Sequence, residues 1–156
     1  MQKQELEYAG FWVRTGATII DTILIMLITF PLLVSIYGWA HFDTNKTGLF
    51  AGPADFLISF VLPTIAVIIF WLQKQGTPGK LALGVTVVDA MTGKTLSVGQ
   101  SIGRYFAYFV SLIPLGLGIF WVALDKKKQG WHDKLAGTVV VRNKNHGPQS
   151  VKFEQE

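Results

Sequence analysis

The chain contains no cysteine, and that single absence removes a disulfide scaffold, a thiolate metal site, a cysteine nucleophile and thiol redox chemistry together. Charge is scarce too: Asp, Glu, Lys and Arg make up 15% of 156 residues while half are hydrophobic, and the mean hydropathy is +0.38. A soluble domain carries about 25% charged residues, so this balance reads as an integral membrane protein. There are three histidines. His132 has no second histidine or cysteine at ligand spacing, so no metal site is read and no cofactor is implied. No nucleophile–base pair is legible, and hydrolytic catalysis is unsupported. The net charge of +4 does not point to nucleic acid, because the basic residues flank apolar runs instead of forming a stripe with interleaved aromatics. The "TPGK" of Thr77 to Lys80 lacks the preceding glycine and following Ser or Thr of a phosphate loop, and reads as a turn.

What is present is three apolar segments in a length that suits one domain. The first runs from about Phe11 to Ala40, and its uncharged part, Thr22 to Ala40, approaches the roughly 20 residues needed to cross a ~30 Å hydrocarbon layer. The run is too long for a cleavable signal, and the preceding MQKQELEYAG is not basic overall, so it is expected to stay in the membrane. The second, Phe56 to Leu72, contains Pro63, which should kink it. Gly38 to Asp55 reads as the connecting loop. The third, Tyr105 to Leu124, clusters Pro114, Gly116 and Gly118 at its centre, as at the tip of a helical hairpin.

Charge decides how that third segment is arranged. If it crosses, Lys and Arg divide six against eight; if it dips in and returns, they divide thirteen against one. The positive-inside rule favours a re-entrant hairpin over a third span, with both termini in the cytoplasm. Two half-length helices cannot span, so such a hairpin must be shielded by protein. Trp12, Trp39, Trp71 and Trp131 lie near segment ends, as interface anchors do. After Lys74 the pattern changes. Leu81, Leu83, Val85 and Val87 alternate, "DAMTGK" turns and "TLSV" resumes, which predicts a β-hairpin. Thr138 to Arg142 is expected to add a third strand to this cytoplasmic β element.

The first segment carries charges that lipid does not tolerate freely. On a helix Arg14 and Asp21 share a face about 10 Å apart, with Gly10 and Thr18 between or beside them. A carboxylate inside the bilayer costs on the order of 2.5–3.5 kcal/mol even on the lenient insertion scale, so Asp21 should face protein or a wet cavity and find a donor. Arg14 is too distant for a direct pair. The candidate donors are Arg104 and the region "DKKKQGWHDKLAGT", which also supplies Asp125, His132 and Asp133.

These residues carry a resemblance. The "AGFWVRTGATIID" opening with Arg14 and Asp21, the central "TPGKLALGVTVVD", Arg104 at the start of the third segment and the closing "GWHDKLAGTVVV" together resemble the RDD family of small bacterial membrane proteins, named for one arginine and two aspartates. The likeness runs from Tyr8 to about Arg142, which makes residues 1–142 one membrane domain and 143–156 a polar tail. The family's arginine maps to Arg14 and its first aspartate to Asp21; its second maps to Asp133 in preference to Asp125. The resemblance implies a bacterial plasma (inner) membrane protein of transport type, some members being proposed to exchange Na⁺ or other monovalent cations for protons.

Two functions follow. In the first, Asp21 and Asp133 bind H⁺ and a monovalent cation in turn, Arg14 sets the local potential, and Thr18, Arg104, Asp125 and His132 support them. The exchanging carboxylate must then titrate well above the ordinary value of about 3.9 through desolvation. Two spans and a hairpin are few to enclose a path, so this reading expects a homo-oligomer. In the second, the charges only lock helices in a membrane scaffold or accessory subunit.

Overall fold

The protein is described here from a computed structural model, covering residues 6–43 and 50–143. Lys3, Lys46, Lys144 and Lys152 of the charge count, and nearly all of the 143–156 tail, lie outside the described residues. Two helices are long and apolar enough to cross a membrane. Helix α1, Phe11–Tyr37, has 27 residues, and α2, Pro53–Lys74, has 22. The charge-free length of each forces it to be helical in lipid, because only a helix satisfies every backbone group within one segment. Almost none of either is buried by the rest of the protein, as expected of helices solvated by hydrocarbon.

Pro63 does not break α2. A π-helical turn at Leu57–Val61 immediately precedes it, and this wider turn accommodates a residue that has no N–H to return to the preceding turn. The helix also begins earlier than the apolar run suggests, at Pro53, within the segment expected to be loop.

The expected hairpin between residues 81 and 98 does not form. Leu81 lies in a one-turn helix, α3, Pro78–Ala82, and strand β2 covers Val85–Asp89. What ends β2 is local chemistry. The Asp89 carboxylate accepts from the backbone N–H groups of Met91 (3.0 Å) and Thr92 (2.8 Å), turning the chain, and Gly93 takes the left-handed conformation at φ 69°. The end of the "TLSV" stretch caps and starts the next helix instead of forming a return strand. Ser97 Oγ accepts from Gln100 N at 3.2 Å and Gln100 Oε1 accepts from Ser97 N at 3.0 Å, a reciprocal capping box that starts α4, Val98–Leu112. Strand β2 pairs instead with β3, Thr138–Asn143, which also pairs with β1, Leu6–Tyr8. Both ladders are antiparallel and the order is β1-β3-β2. Across the β1–β3 ladder, Glu7 stands directly opposite Arg142 and the two side chains are paired.

The third apolar segment is longer than its uncharged core. Helix α4 begins at Val98, turns sharply after Leu112, and continues as α5, Leu117–Leu124, with a bend of 99°. The bend sits where Pro114, Gly116 and Gly118 place it. Leu115 and Gly116 adopt positive φ, and a Cβ on Gly118 would lie 2.7 Å from Ser111 Cα, so only glycine lets α5 close on α4 there. A final short helix, α6, Trp131–Ala136, leads through left-handed Gly137 into β3.

The sheet closes over the helix ends. Val85, Val87 and Val140 pack with Ala9, Leu96 and Trp71 into one buried cluster, joined by Val13, Val67, Tyr105 and Tyr108. Trp71 is therefore a core residue and not an interface anchor, whereas Trp12 and Trp39 are exposed in the way anchors are.

Candidate functional site

Arg14 is in the first turn of α1, and its neighbours fix it at three points. Nε donates to Ala9 O at 3.0 Å, Nη1 to Asp133 Oδ2 at 2.5 Å and Nη2 to Lys128 O at 2.5 Å. Lys128 is itself in the left-handed region, at φ 50°. Arg104, on α4, reaches the other oxygen of the same carboxylate: Nη1 is 2.5 Å from Asp133 Oδ1 and also donates to Thr138 Oγ1. The Arg104 guanidinium rests over the rings of Trp71 and Tyr108, at 5.3 and 5.8 Å. Asp133 also accepts from Gly130 N at 2.9 Å, which seats it at the start of α6. One carboxylate thus joins α1, α4 and α6 through two guanidinium groups.

The chemistry of Asp133 follows from that arrangement. Burial alone would raise its pKa, but Arg104 and Arg14, aided by His132, overcome burial and hold the carboxyl well below the usual carboxylate range. Of the two candidate exchanging carboxylates, Asp21 and Asp133, the second is thus held as an anion by two cations. His132 is equally unsuited to carry a proton. Burial, followed by Arg104, Arg14 and Lys80, outweighs Asp133 and lowers its pKa to about 3. The neutral ring stacks on Tyr108 at 3.9 Å, with Nδ1 3.3 Å from Ser111 Oγ.

Asp21 belongs to a different site. Its donors are neither Arg104 nor the 125–138 region but the segment that follows α2. Thr77 Oγ1 donates to Oδ2, and Gly79 N donates to Oδ1 at 2.7 Å. Among the described residues no Lys, Arg or His lies within ion-pair distance of Asp21. The close approach needs Gly79, because a Cβ there would fall 2.1 Å from Ala17 O. Asp21 borders two spaces: an apolar crevice of about 120 Å³ between α1 and α2, and a cavity of about 290 Å³ shared with Thr18, Thr77, Lys80 and Tyr105. Thr18 donates to Arg14 O at 3.0 Å and is exposed to that cavity and to a further one of about 400 Å³ beside Arg14. Asp125 stands apart, paired with Lys134 at 2.5 Å and accepting from Lys127 N and Gln129 N.

Lys80 escaped the sequence reading. It is 7% exposed, and its ammonium lies 3.4 Å from Thr77 Oγ1 with no carboxylate in range among the described residues. The signal available was the run Thr77-Pro78-Gly79 directly after an apolar helix, where a glycine close to a hydroxyl residue marks backbone brought close to another element.

The family model that matches is described as the RDD family and covers residues 8–137. The chain belongs to the RDD family. Among RDD relatives, YxaI of Bacillus subtilis is 35% identical over 147 residues, 85% of this chain and 96% of its own. RP437 of Rickettsia prowazekii is 40% identical over 114 residues, 70% of this chain and 64% of its own. YteJ of Bacillus subtilis, whose name describes a membrane protein, is 29% identical over 143 residues, 88% and 82%. No solved structure matches. The RDD match encloses both sites, the Arg14–Asp133–Arg104 cluster and the Asp21–Thr77–Gly79 contact with Lys80.

Proposed function

We propose that this RDD protein exchanges protons for a monovalent cation across the bacterial plasma membrane, and that the exchanging group is Asp21 alone. One observation carries this reading: Asp21 sits in a helix long and apolar enough to cross a membrane, opens onto two cavities, and is held among the described residues by neutral donors, a hydroxyl and a backbone N–H. A carboxylate at membrane depth with no cation in direct contact, Lys80 reaching it only through the Thr77 hydroxyl, takes up a further positive charge, and H⁺ or a monovalent cation supplies it. One such ligand excludes the other. Apparent cation affinity should therefore fall as pH drops, and the pH of half activity should move down as cation concentration rises. Arg14, Arg104 and Asp133 lock the fold around this site and do not exchange. A path across the membrane is completed by a second copy of the chain.

The test is proton–cation exchange in liposomes containing only the purified protein, with Na⁺, K⁺ and Li⁺ in turn between pH 6 and 9. Asp21→Asn keeps volume and hydrogen-bonding capacity but removes the charge. It should leave a folded protein with exchange lost. Full activity in that variant removes Asp21 from the mechanism. Absence of exchange in the wild type with every cation assigns the protein to the second reading, a membrane scaffold, which the mutually paired charges of the Arg14–Asp133–Arg104 cluster favour as a purely structural device.

The same reading sets the topology: both termini and residues 74–104 are cytoplasmic, and the bent α4–α5 pair re-enters. The charge division of thirteen against one supports it. Since the chain has no cysteine, single cysteines report without background. An impermeant thiol reagent applied outside should label a cysteine at Lys46 and not one at Lys94 or Lys144; labelling at Lys144 would show that the third segment crosses.

A further inference from the structure

Beside the Arg14 cluster lies the cavity of about 400 Å³, within the range of small-molecule pockets. Its lining is of two kinds. Arg14, Thr15, Thr18 and Lys80 supply polar groups, while Ile19, Ile119 and Phe120 supply hydrocarbon. Ile19 and Phe120 are more than half exposed, so the apolar part of the cavity is continuous with the surface that faces lipid.

The positive groups at this cavity are not equivalent. Each hydrogen-bonding nitrogen of Arg14 already has an acceptor, in Ala9, Asp133 and Lys128. His132 is neutral, its pKa lowered to about 3. The Thr15 and Thr18 hydroxyls donate to carbonyls of their own helix, at 3.0 Å each, and keep lone pairs to accept with. Lys80 remains. It is 7% exposed, and among the described residues its one hydrogen-bond contact is Thr77 Oγ1 at 3.4 Å, a hydroxyl that itself donates to Asp21. A buried ammonium without a counter-anion is unfavourable, so the site as built calls for an anion.

We infer that this cavity binds the headgroup of an anionic phospholipid, with a phosphate oxygen on the Lys80 ammonium and an acyl chain leaving past Ile19, Ile119 and Phe120. A free phosphate would meet the same ammonium but would leave the hydrocarbon wall unused and in contact with water. The lipid satisfies both halves of the lining, and in a bilayer it is always within reach.

The test uses the full-length protein in a neutral detergent, read by thermal unfolding during titration with dioleoylphosphatidylglycerol, dioleoylphosphatidylcholine or sn-glycerol 3-phosphate. The phosphatidylglycerol should raise the unfolding temperature at concentrations about tenfold below those at which phosphatidylcholine does, because both lipids offer the phosphate oxygen but choline brings its own fixed cation to a cavity already lined by Arg14 and Lys80. Glycerol 3-phosphate should have little effect. Lys80→Gln should erase the preference, and Lys80→Arg should retain it. Ile119→Trp leaves Lys80 in place but fills the cavity, and should also erase it, which decides the matter if Lys80→Gln does not fold. Equal stabilisation by the two phospholipids in the wild type, or a preference that survives Lys80→Gln or Ile119→Trp, would overturn the inference. Stabilisation by glycerol 3-phosphate equal to that by phosphatidylglycerol would overturn the lipid as the source of the phosphate.

Discussion

Asp133→Asn is expected to destabilise the folded protein in detergent by about 3–5 kcal/mol, the usual consequence of stranding a buried charge. The substitution keeps the volume and one oxygen, so packing changes little; what is lost is the carboxylate held between two buried guanidinium groups, each 2.5 Å from it. Arg14 keeps its contacts to Ala9 and Lys128. Arg104, fully buried, keeps Thr138 and the faces of Trp71 and Tyr108 but no anion. The larger share of the loss should therefore arise at Arg104. Pairing Arg104→Met with Asp133→Asn should recover a large part of it, because removing both partners of a buried pair is often close to neutral. Thermal unfolding of the two single variants and the double variant, with the coupling read as a cycle, measures this. A loss below about 1 kcal/mol for Asp133→Asn would show a solvated pair of the kind found on surfaces, and would end the view of this cluster as the lock of the fold.

The sequence made α1, α2 and the break in the third segment legible because each rests on a local property: apolar length in the first two, and Pro114, Gly116 and Gly118 in the last. The polar stripe on α1 was legible for the same reason, since spacing along a helix fixes which residues share a face. Partners across the chain were not. Arg14 meets Asp133 at a separation of 119 residues and Asp21 meets Gly79 at 58, and nothing local distinguishes those pairings from Asp21 with Arg104. The sheet went astray similarly. Alternation in Leu81, Leu83, Val85 and Val87 predicts a strand, but where it begins and what it pairs with are set by long-range packing, and the nearby "TLSV" was claimed by the Ser97–Gln100 capping box. Lys80 lay hidden because a lysine after an apolar run ordinarily reads as an interface charge.

The contact that builds the Asp21 site can be broken without touching Asp21. Gly79→Ala places a Cβ 2.1 Å from Ala17 O, 2.9 Å from Asp21 Cγ and 3.0 Å from Asp21 N. Two of these atoms are backbone of α1, which cannot rotate aside, so α3 must back away from α1. The Gly79 N–H to Asp21 bond of 2.7 Å and the Thr77 bond beside it are then stretched or lost. Overpacking costs about 1–3 kcal/mol and an unsatisfied partner another ~1–3, while alanine returns about 1 through helix propensity. A net destabilisation of about 1–5 kcal/mol follows. Gly103→Ala is the control: the same change in α4, where an added Cβ meets nothing within 4 Å, should be neutral or stabilising by about 1 kcal/mol. Thermal unfolding reads the stability, and liposome exchange reads the site. If Asp21 exchanges, Gly79→Ala should alter apparent cation affinity even in the folded fraction, because two of the groups that position the carboxylate have moved. In an Asp21→Asn background the Gly79→Ala penalty should shrink, since the charged acceptor is already gone and the two changes share one contact. Strictly additive penalties would show that Gly79 serves only to let α3 pack on α1, and that its N–H contributes nothing to holding Asp21.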